Sequence, residues 1–264
     1  MNEFRMLKII GQAINDYDMI EDKDRIVAAI SGGIDSIVML VLLYKRLKYI
    51  PIKYELFPVI IDNFNGENEE YNKKLDKLKN YIFSATSTEL KIIPVPAIEY
   101  LTKSHRPKRD ICYLCAQKRR TELFKYANAI GAKKIALAHH KDDIVETNLM
   151  NMFYKRELSS MLPKLPLFNG TLTIIRPLAY LEKKEIEKYF YSNKENILII
   201  GEVCPSKIMK RDFRRLEIRK LIEELESKIP GVKNNIFAAF RNPKPDYLLN
   251  YLFNPKTSGR FKRP

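Results

Sequence analysis

A short apolar run, Arg25–Ile30, stops at two glycines, Gly32 and Gly33, and a second apolar stretch, Ile37–Tyr44, follows almost at once. A run this short with no polar alternation reads as a strand covered on both faces. The glycines let the chain reverse tightly. Residues 36–47 then read as a helix. A buried strand feeding a helix through a glycine turn is the opening of a parallel α/β sheet.

The same alternation continues along the chain. Residues 55–61 predict a second strand, ending at Asp62-Asn63, and residues 67–83 a helix with a Lys-rich outer face. Residues 91–97 predict a third strand, 113–130 a helix stopped by Gly131, 135–138 a fourth strand, 142–154 a helix, and 171–175 a fifth strand. From Lys183 the pattern is helical, apart from 196–200. Phe4, Leu7, Ile10, Ile14 and Tyr17 recur three or four apart and predict a first amphipathic helix over 1–22. The expected class is therefore α/β, a doubly wound, mainly parallel sheet with a helical C-terminal extension. The expected organisation is an N-terminal helix 1–22, a nucleotide domain 23–180, a mainly helical region 181–252 and a basic tail 253–264.

Charge narrows the partners. The 264 residues carry 47 Lys and Arg against 32 Asp and Glu, a net +15. The excess is clustered: 103–120 has seven cations and one anion, and 205–264 has fifteen cations and six anions. Such clusters predict an anionic partner, most often nucleic acid. Lys207, Lys210, Arg211, Arg214, Arg215, Arg219 and Lys220 recur with spacings of three and four residues, a cationic stripe on a helix that suits RNA phosphates. The longest apolar stretch, Ile37–Tyr44, has eight residues, where a bilayer span needs roughly 20. No membrane partner is expected. The charged N-terminus does not read as a secretory signal, and three cysteines do not make a disulfide framework. A cytoplasmic location fits both.

Three places carry chemistry. Ser31-Gly32-Gly33-Ile34-Asp35-Ser36 offers backbone N–H groups, two hydroxyls and a helix N-terminus, the ingredients of a phosphate cradle. An ordinary capped turn would use the same residues, with Ser36 as N-cap. Ala138-His139-His140-Lys141-Asp142-Asp143 ends the fourth strand and opens a helix. In a doubly wound sheet this loop faces the first. Asp142 is expected to cap the helix and Asp143 to handle Mg²⁺ or the reacting group, with the histidines lining the phosphate site.

Cys112 and Cys115 form a C-x-x-C, and Cys204 follows about ninety residues later. A Cys₃His zinc site with His105, His139 or His140, a redox pair, and a three-cysteine iron–sulfur site with one open iron all fit this spacing. Buried, unlinked cysteines are the plain alternative.

The hexapeptide S-G-G-x-D-S after a first strand resembles the PP-loop ATP pyrophosphatases. In the same order come C-x-x-C with trailing arginines (CAQKRR, opening on its second cysteine), then AHHKDDIVETNLMNMFY, MLPKL, IIRPLAY and a third cysteine. Over about 5–250 this series is similar to the tRNA 2-thiocytidine synthetase family, iron–sulfur tRNA thiolases related to the 2-thiouridine thiolases. The resemblance implies a PP-loop ATPase fold of the adenine nucleotide alpha hydrolase type. It implies ATP–Mg²⁺ on Ser31, Gly32, Gly33, Asp35 and Ser36, with adenine against Ala29, Ile61 and Asp62, and Ala138 and His140 beside it. It implies a 4Fe–4S cluster on Cys112, Cys115 and Cys204, and Asp143 and Arg119 as catalytic groups. The partners implied are tRNA, ATP, a sulfur donor (cysteine desulfurase-derived or inorganic sulfide) and a second copy in a homodimer. The reaction implied replaces the 2-oxygen of a pyrimidine, cytidine 32, by sulfur through an adenylated intermediate. A 2-thiouridine synthetase is the nearest alternative, and a zinc-stabilised RNA-binding module without ATP turnover is the alternative of another class.

Overall fold

The computed structural model describes residues 2–62, 69–95, 108–192, 213–244 and 247, and for 108–113 and 115 the backbone alone. His105, Cys204, Lys207, Lys210, Arg211, the strand expected at 196–200 and the tail 253–264 lie outside the described residues.

Among the described residues six strands form one sheet, in the order β3-β2-β1-β4-β6-β5. The strands are β1 (Asp24–Ile30), β2 (Tyr54–Asp62), β3 (Lys91–Pro94), β4 (Lys134–Ala136), β5 (Lys164–Leu167) and β6 (Leu172–Ile175). The pairs β1–β2, β2–β3, β1–β4 and β4–β6 are parallel, and β5 closes the edge antiparallel to β6. The helices among the described residues are α1 (Glu3–Asp16), α2 (Ile34–Arg46), α3 (Glu69–Thr86), α4 (Lys108–Ala129), α5 (Lys141–Met150), α6 (Lys183–Ser192), α7 (Phe213–Lys228) and α8 (Val232–Arg241).

Both faces of the sheet are covered, and β1 shows how. Its side chains alternate, as strand geometry requires. Ile26, Ala28 and Ile30 enter a core with Met6 and Ile10 of α1, Leu40 and Leu43 of α2, Leu78 and Ile82 of α3, and Ile186 and Phe190 of α6. Val27 enters the opposite core, with Val59, Ile135 and Leu172 and with Leu123 and Ala127 of α4. A third cluster joins Ile144, Val145 and Leu149 of α5 to Ile218 and Ile222 of α7 and Phe237 of α8. The C-terminal helices are thus seated on α5 by an apolar contact.

The chain runs β1, β2, β3 in one direction, then returns through α4 to place β4 on the other side of β1. That reversal puts a crevice between the carboxyl ends of β1 and β4, where such sheets bind ligands. The loops after these two strands are 31–33 and 137–140.

Several elements differ from the sequence reading. The first helix stops at Asp16 rather than at 22, and Asp18 takes a left-handed conformation (φ 46°). Phe4 is exposed, so the apolar face of α1 is Met6, Leu7, Ile10, Ala13 and Ile14. The fourth strand spans 134–136 and the third ends at Pro94. The helix carrying C-x-x-C begins at Lys108, so both cysteines lie inside it. The helix read over 142–154 gives way at Met150 to a π-helical turn, Asn151–Lys155. Strand β5 was not expected. It holds Pro166, which an edge strand tolerates because no ladder hydrogen bond is lost there.

Candidate functional site

The loop after β1 is built to leave donors uncovered. Gly32 takes φ 80°, a left-handed conformation that side-chain-bearing residues adopt at a cost of about 1–2 kcal/mol. Gly33 is the N-cap of α2 and, having no side chain, covers none of its N–H groups. The first N–H groups of a helix have no intrahelical partner. Ser36, buried, holds the loop shut from beneath. Its Oγ accepts from the Ser31 N–H (3.1 Å) and donates to the Gly33 carbonyl (2.9 Å). Ser31 Oγ lies 3.2 Å from Ser36 Oγ and accepts from the Gly33 N–H (3.3 Å). Ser36 therefore braces the turn, and does not cap the helix. Asp35 points out of the first turn of α2, and both its oxygens are held by Lys183 Nζ at 2.7 and 2.8 Å.

The loop after β4 is built the opposite way. His140 is the N-cap of α5, and its N–H donates to Asp143 Oδ2 (3.0 Å). Asp143, expected to be the chemical group, is the residue that bonds back to the cap. Asp142, expected to be the cap, is instead a tether. Its Oδ2 accepts from the Lys183 N–H (2.7 Å) and its Oδ1 from Lys233 Nζ of α8 (2.6 Å). Burial would raise the Asp142 carboxyl, but the contacts with His140, Lys233 and the Lys183 N–H outweigh it and hold it well below the usual range.

The two histidines are pushed apart. His139 Nδ1 accepts from Arg176 Nε (3.2 Å). Burial, reinforced by the Arg176 charge and opposed by Asp143, pushes His139 down to about 4. It is neutral at pH 7. His140 is buried with Nδ1 3.4 Å from Asp142 Oδ2, out of hydrogen-bonding alignment, and Nε2 3.4 Å from Asp143 Oδ2. Burial opposes its protonation, but Asp142, Asp143 and Asp35 prevail and raise its pKa. Arg176 is itself buried, which pushes it down to about 10 against the pull of Asp143, and it also donates to the Leu162 carbonyl.

Behind Asp143 sits a charge cluster that the sequence reading left without chemistry. Glu146, 2% exposed, accepts from Arg215 Nε (2.9 Å) through Oε2 and from Arg219 Nε (2.8 Å) through Oε1. Arg215 also reaches Asp143, with its terminal nitrogen 3.9 Å from Oδ1. Two members of the expected RNA-facing stripe thus turn inward to α5. Arg214, the residue before them on α7, lies over the Tyr154 ring, 5.2 Å from its centroid. The signal for this was the i,i+4 spacing of Arg215 and Arg219, which suits a shared carboxylate as well as it suits phosphates.

Lys183 joins the two loops. Its ammonium holds Asp35 of the first and its backbone N–H holds Asp142 of the second. It was not among the sequence candidates, because its partners lie 148 and 41 residues away. Of the expected adenine contacts, Ile61 and Asp62 are buried at the end of β2, and Ala29 and Ala138 are half-buried. Arg119 is exposed on α4. Cys112 and Cys115 sit one helical turn apart on α4. Among the described residues no group of three or more His, Cys, Asp or Glu is disposed to hold a metal ion, and no helix is long and apolar enough to cross a membrane.

Comparison with known proteins places this geometry. A PP-loop domain model, the ATP_bind_3 family, matches residues 3–222. The tRNA-cytidine(32) 2-sulfurtransferase of Ralstonia pickettii is 35% identical over 98% of this chain and 80% of its own. That of Pseudomonas putida is 36% identical over 92% of this chain and 85% of its own. Among solved structures, the U34-tRNA thiolase NcsA from Methanococcus maripaludis, held with its [4Fe-4S] cluster, superposes with a TM-score of 0.67. It is 20% identical, covering 90% of this chain and 78% of that one, and so supports the fold. With its glycine turn and carboxylate loop meeting at the reversal of a parallel sheet, the chain belongs to the PP-loop family and, within it, to the tRNA-cytidine(32) 2-sulfurtransferases.

Proposed function

We propose that this protein is an ATP-dependent tRNA sulfurtransferase that replaces the 2-oxygen of cytidine 32 by sulfur. The observation that carries the reading is the joining of the phosphate cradle to the carboxylate loop through Lys183. A substrate held at one is presented to the other.

The roles follow from the geometry. The uncovered N–H groups at the start of α2 and the Ser31 hydroxyl hold the phosphates of ATP. The helix dipole favours that charge. The 2-oxygen of the pyrimidine attacks the α-phosphorus and pyrophosphate leaves. This turns a poor leaving oxygen into part of AMP, which a sulfur nucleophile then displaces. The exchange changes no oxidation state. Asp143 is placed to hold the base or to take the proton released as sulfur replaces oxygen. His140, whose hold on a proton is strengthened by Asp142, Asp143 and Asp35, is placed to offset the charge gathering on the phosphates. Asp35 already has Lys183 on both oxygens, so Mg²⁺ bound there must displace that ammonium.

The chain's three cysteines suit a 4Fe–4S cluster, since Cys112 and Cys115 share one face of α4 and one thiolate more completes a three-ligand set. Cys112, Cys115 and Cys204 would hold it. When bound it supplies an iron with a free position at which sulfide is kept nucleophilic.

The test is nucleoside mass spectrometry of tRNA from a deletion strain, with and without the restored gene. Loss of 2-thiocytidine and its return are expected. Loss of a 2-thiouridine with 2-thiocytidine intact would move the assignment to the uridine enzyme. No change in either would overturn it.

A further inference from the structure

The far end of α5 carries a feature that the reaction does not use. At Asn151 the helix widens into a π-helical turn that ends at Arg156 in a left-handed conformation (φ 58°). Such turns interrupt helices most often where a function requires it. This one is pinned at its base, where buried Asn151 donates from Nδ2 to the Ser159 carbonyl (3.0 Å) and to Ser159 Oγ (2.9 Å). Above that anchor the next three side chains all face solvent. Met152, Phe153 and Tyr154 are 38%, 54% and 44% exposed, and Phe213, at the start of the neighbouring α7, is 70% exposed.

An exposed group of large apolar side chains marks a surface that something covers. The chemistry of the rim indicates what. The Arg214 guanidinium lies over the Tyr154 ring, and Lys155 and Arg156 are exposed beside it. Among the described residues, Glu217, whose Oε2 is 3.3 Å from the Tyr154 hydroxyl, and Glu157 are the acids beside the turn. Aromatic rings interleaved with cations suit a single strand of nucleic acid, whose bases stack while its phosphates meet the charges. A second copy of this chain would bring its own net +15 to the contact, which opposes self-association there.

We propose that the turn 152–156, with Phe213 and Arg214, is a stacking platform for the unpaired bases that flank the modified nucleotide in an RNA loop. The proposal rests on the tRNA reading above and adds to it the surface. Asp143 is near the start of α5 and Phe153 just past its end, so about 15 Å separates chemistry from platform along the helix axis. Drawing one base out of a loop to the reacting groups leaves its neighbours without their stacking partner. A ring surface at that distance receives them.

The test is binding of a fluorescent anticodon stem-loop RNA across a salt series, by anisotropy, with wild-type protein and with Phe153→Ala/Tyr154→Ala. The double variant is expected to bind at least about fivefold more weakly for each stacked base lost. The slope of log affinity against log salt should stay the same, because no phosphate contact is removed. ATP affinity should not move. Phe153→Tyr/Tyr154→Phe, which keeps both rings, should bind as wild type does. Unchanged RNA affinity in the double alanine variant overturns the platform and leaves the tRNA reading standing. So does a weaker affinity accompanied by a wild-type dimer that falls apart in sedimentation. Wild-type protein that binds no RNA overturns the tRNA reading and the platform with it.

Discussion

Two helix starts stand side by side at the carboxyl edge of this sheet, and they are opposites. The start of α2 is capped by a glycine, braced from below by serine hydroxyls, and leaves its N–H groups open. The start of α5 is filled by the chain's own groups: Asp143 bonds back to the cap, Asp142 is tied to Lys183 and Lys233, and two histidines and an arginine pack around them. Both positions favour negative charge. At α5 the protein supplies that charge itself, and at α2 it leaves the place for a ligand. On the function proposed above, the difference separates a binding loop from a loop that orients reacting groups.

If that division holds, the largest effect comes from the second loop. Asp143→Asn should lower tRNA thiolation by about 10²–10⁴-fold, the range for a lost acid–base group, with ATP affinity little changed by calorimetry. Equal loss of ATP binding would mean that the two loops are not distinct in role.

Next is the cluster behind it. Glu146→Ala strips the shared partner from Arg215 and Arg219 and should lower stability by about 2–3 kcal/mol, read by urea unfolding. That lies just below the usual ~3–5 kcal/mol for breaking a buried pair, because both guanidinium groups reach solvent. No change would mean that α7 is held to α5 by its apolar contacts alone.

The histidines sharpen the comparison through pH. His139 falls from 6.5 to about 4 on folding, so between those values the unfolded chain binds the extra proton and stability falls with acid. In full the effect is worth on the order of 3 kcal/mol. His140 is raised, so its contribution is present below 6.5 and fades as pH climbs through its folded value. His139→Gln should flatten the acid limb between pH 6.5 and 4 and leave the alkaline limb alone. An unaltered limb over that span would assign it to groups other than His139, and not to Asp142, whose lowered pKa acts only below the ordinary carboxylate range.

The smallest effect belongs to the first loop. Gly32→Ala places a Cβ at φ 80° and should weaken ATP binding by about tenfold, the equivalent of ~1–2 kcal/mol of backbone strain. Thiolation at saturating ATP should recover most of its rate. A drop that excess ATP does not restore would give this loop a share in the chemical step.

The strand–turn–helix at 25–46 could be read from the sequence because its signals are local: an unbroken apolar run, two glycines and a helix-length apolar stretch. The sheet class followed from repetition of that unit. What escaped was decided by distant partners. Glu146 looks like any polar residue on a helix until Arg215 and Arg219 arrive from α7, 69 and 73 residues later. Lys183 looks like a solvated helix start, and the swap between Asp142 and Asp143 depends on which of them Lys183 and Lys233 can reach. Strand β5 is four residues with a proline, too short for a periodic signal. The C-x-x-C was legible as a local spacing on one helix, and Cys204 falls outside the described residues.

The pairing of β1 with β4 has a consequence for how the molecule is made. Ile26 meets Lys134, Val27 meets Ile135 and Ala28 meets Ala136, so the two central strands lie roughly a hundred residues apart in the chain, and closing that span is slow. A nascent chain that has β1, β2 and β3 holds only one wall of the crevice. The nucleotide pocket is therefore a late product of folding. ATP, by binding only the finished form, should draw the equilibrium toward it.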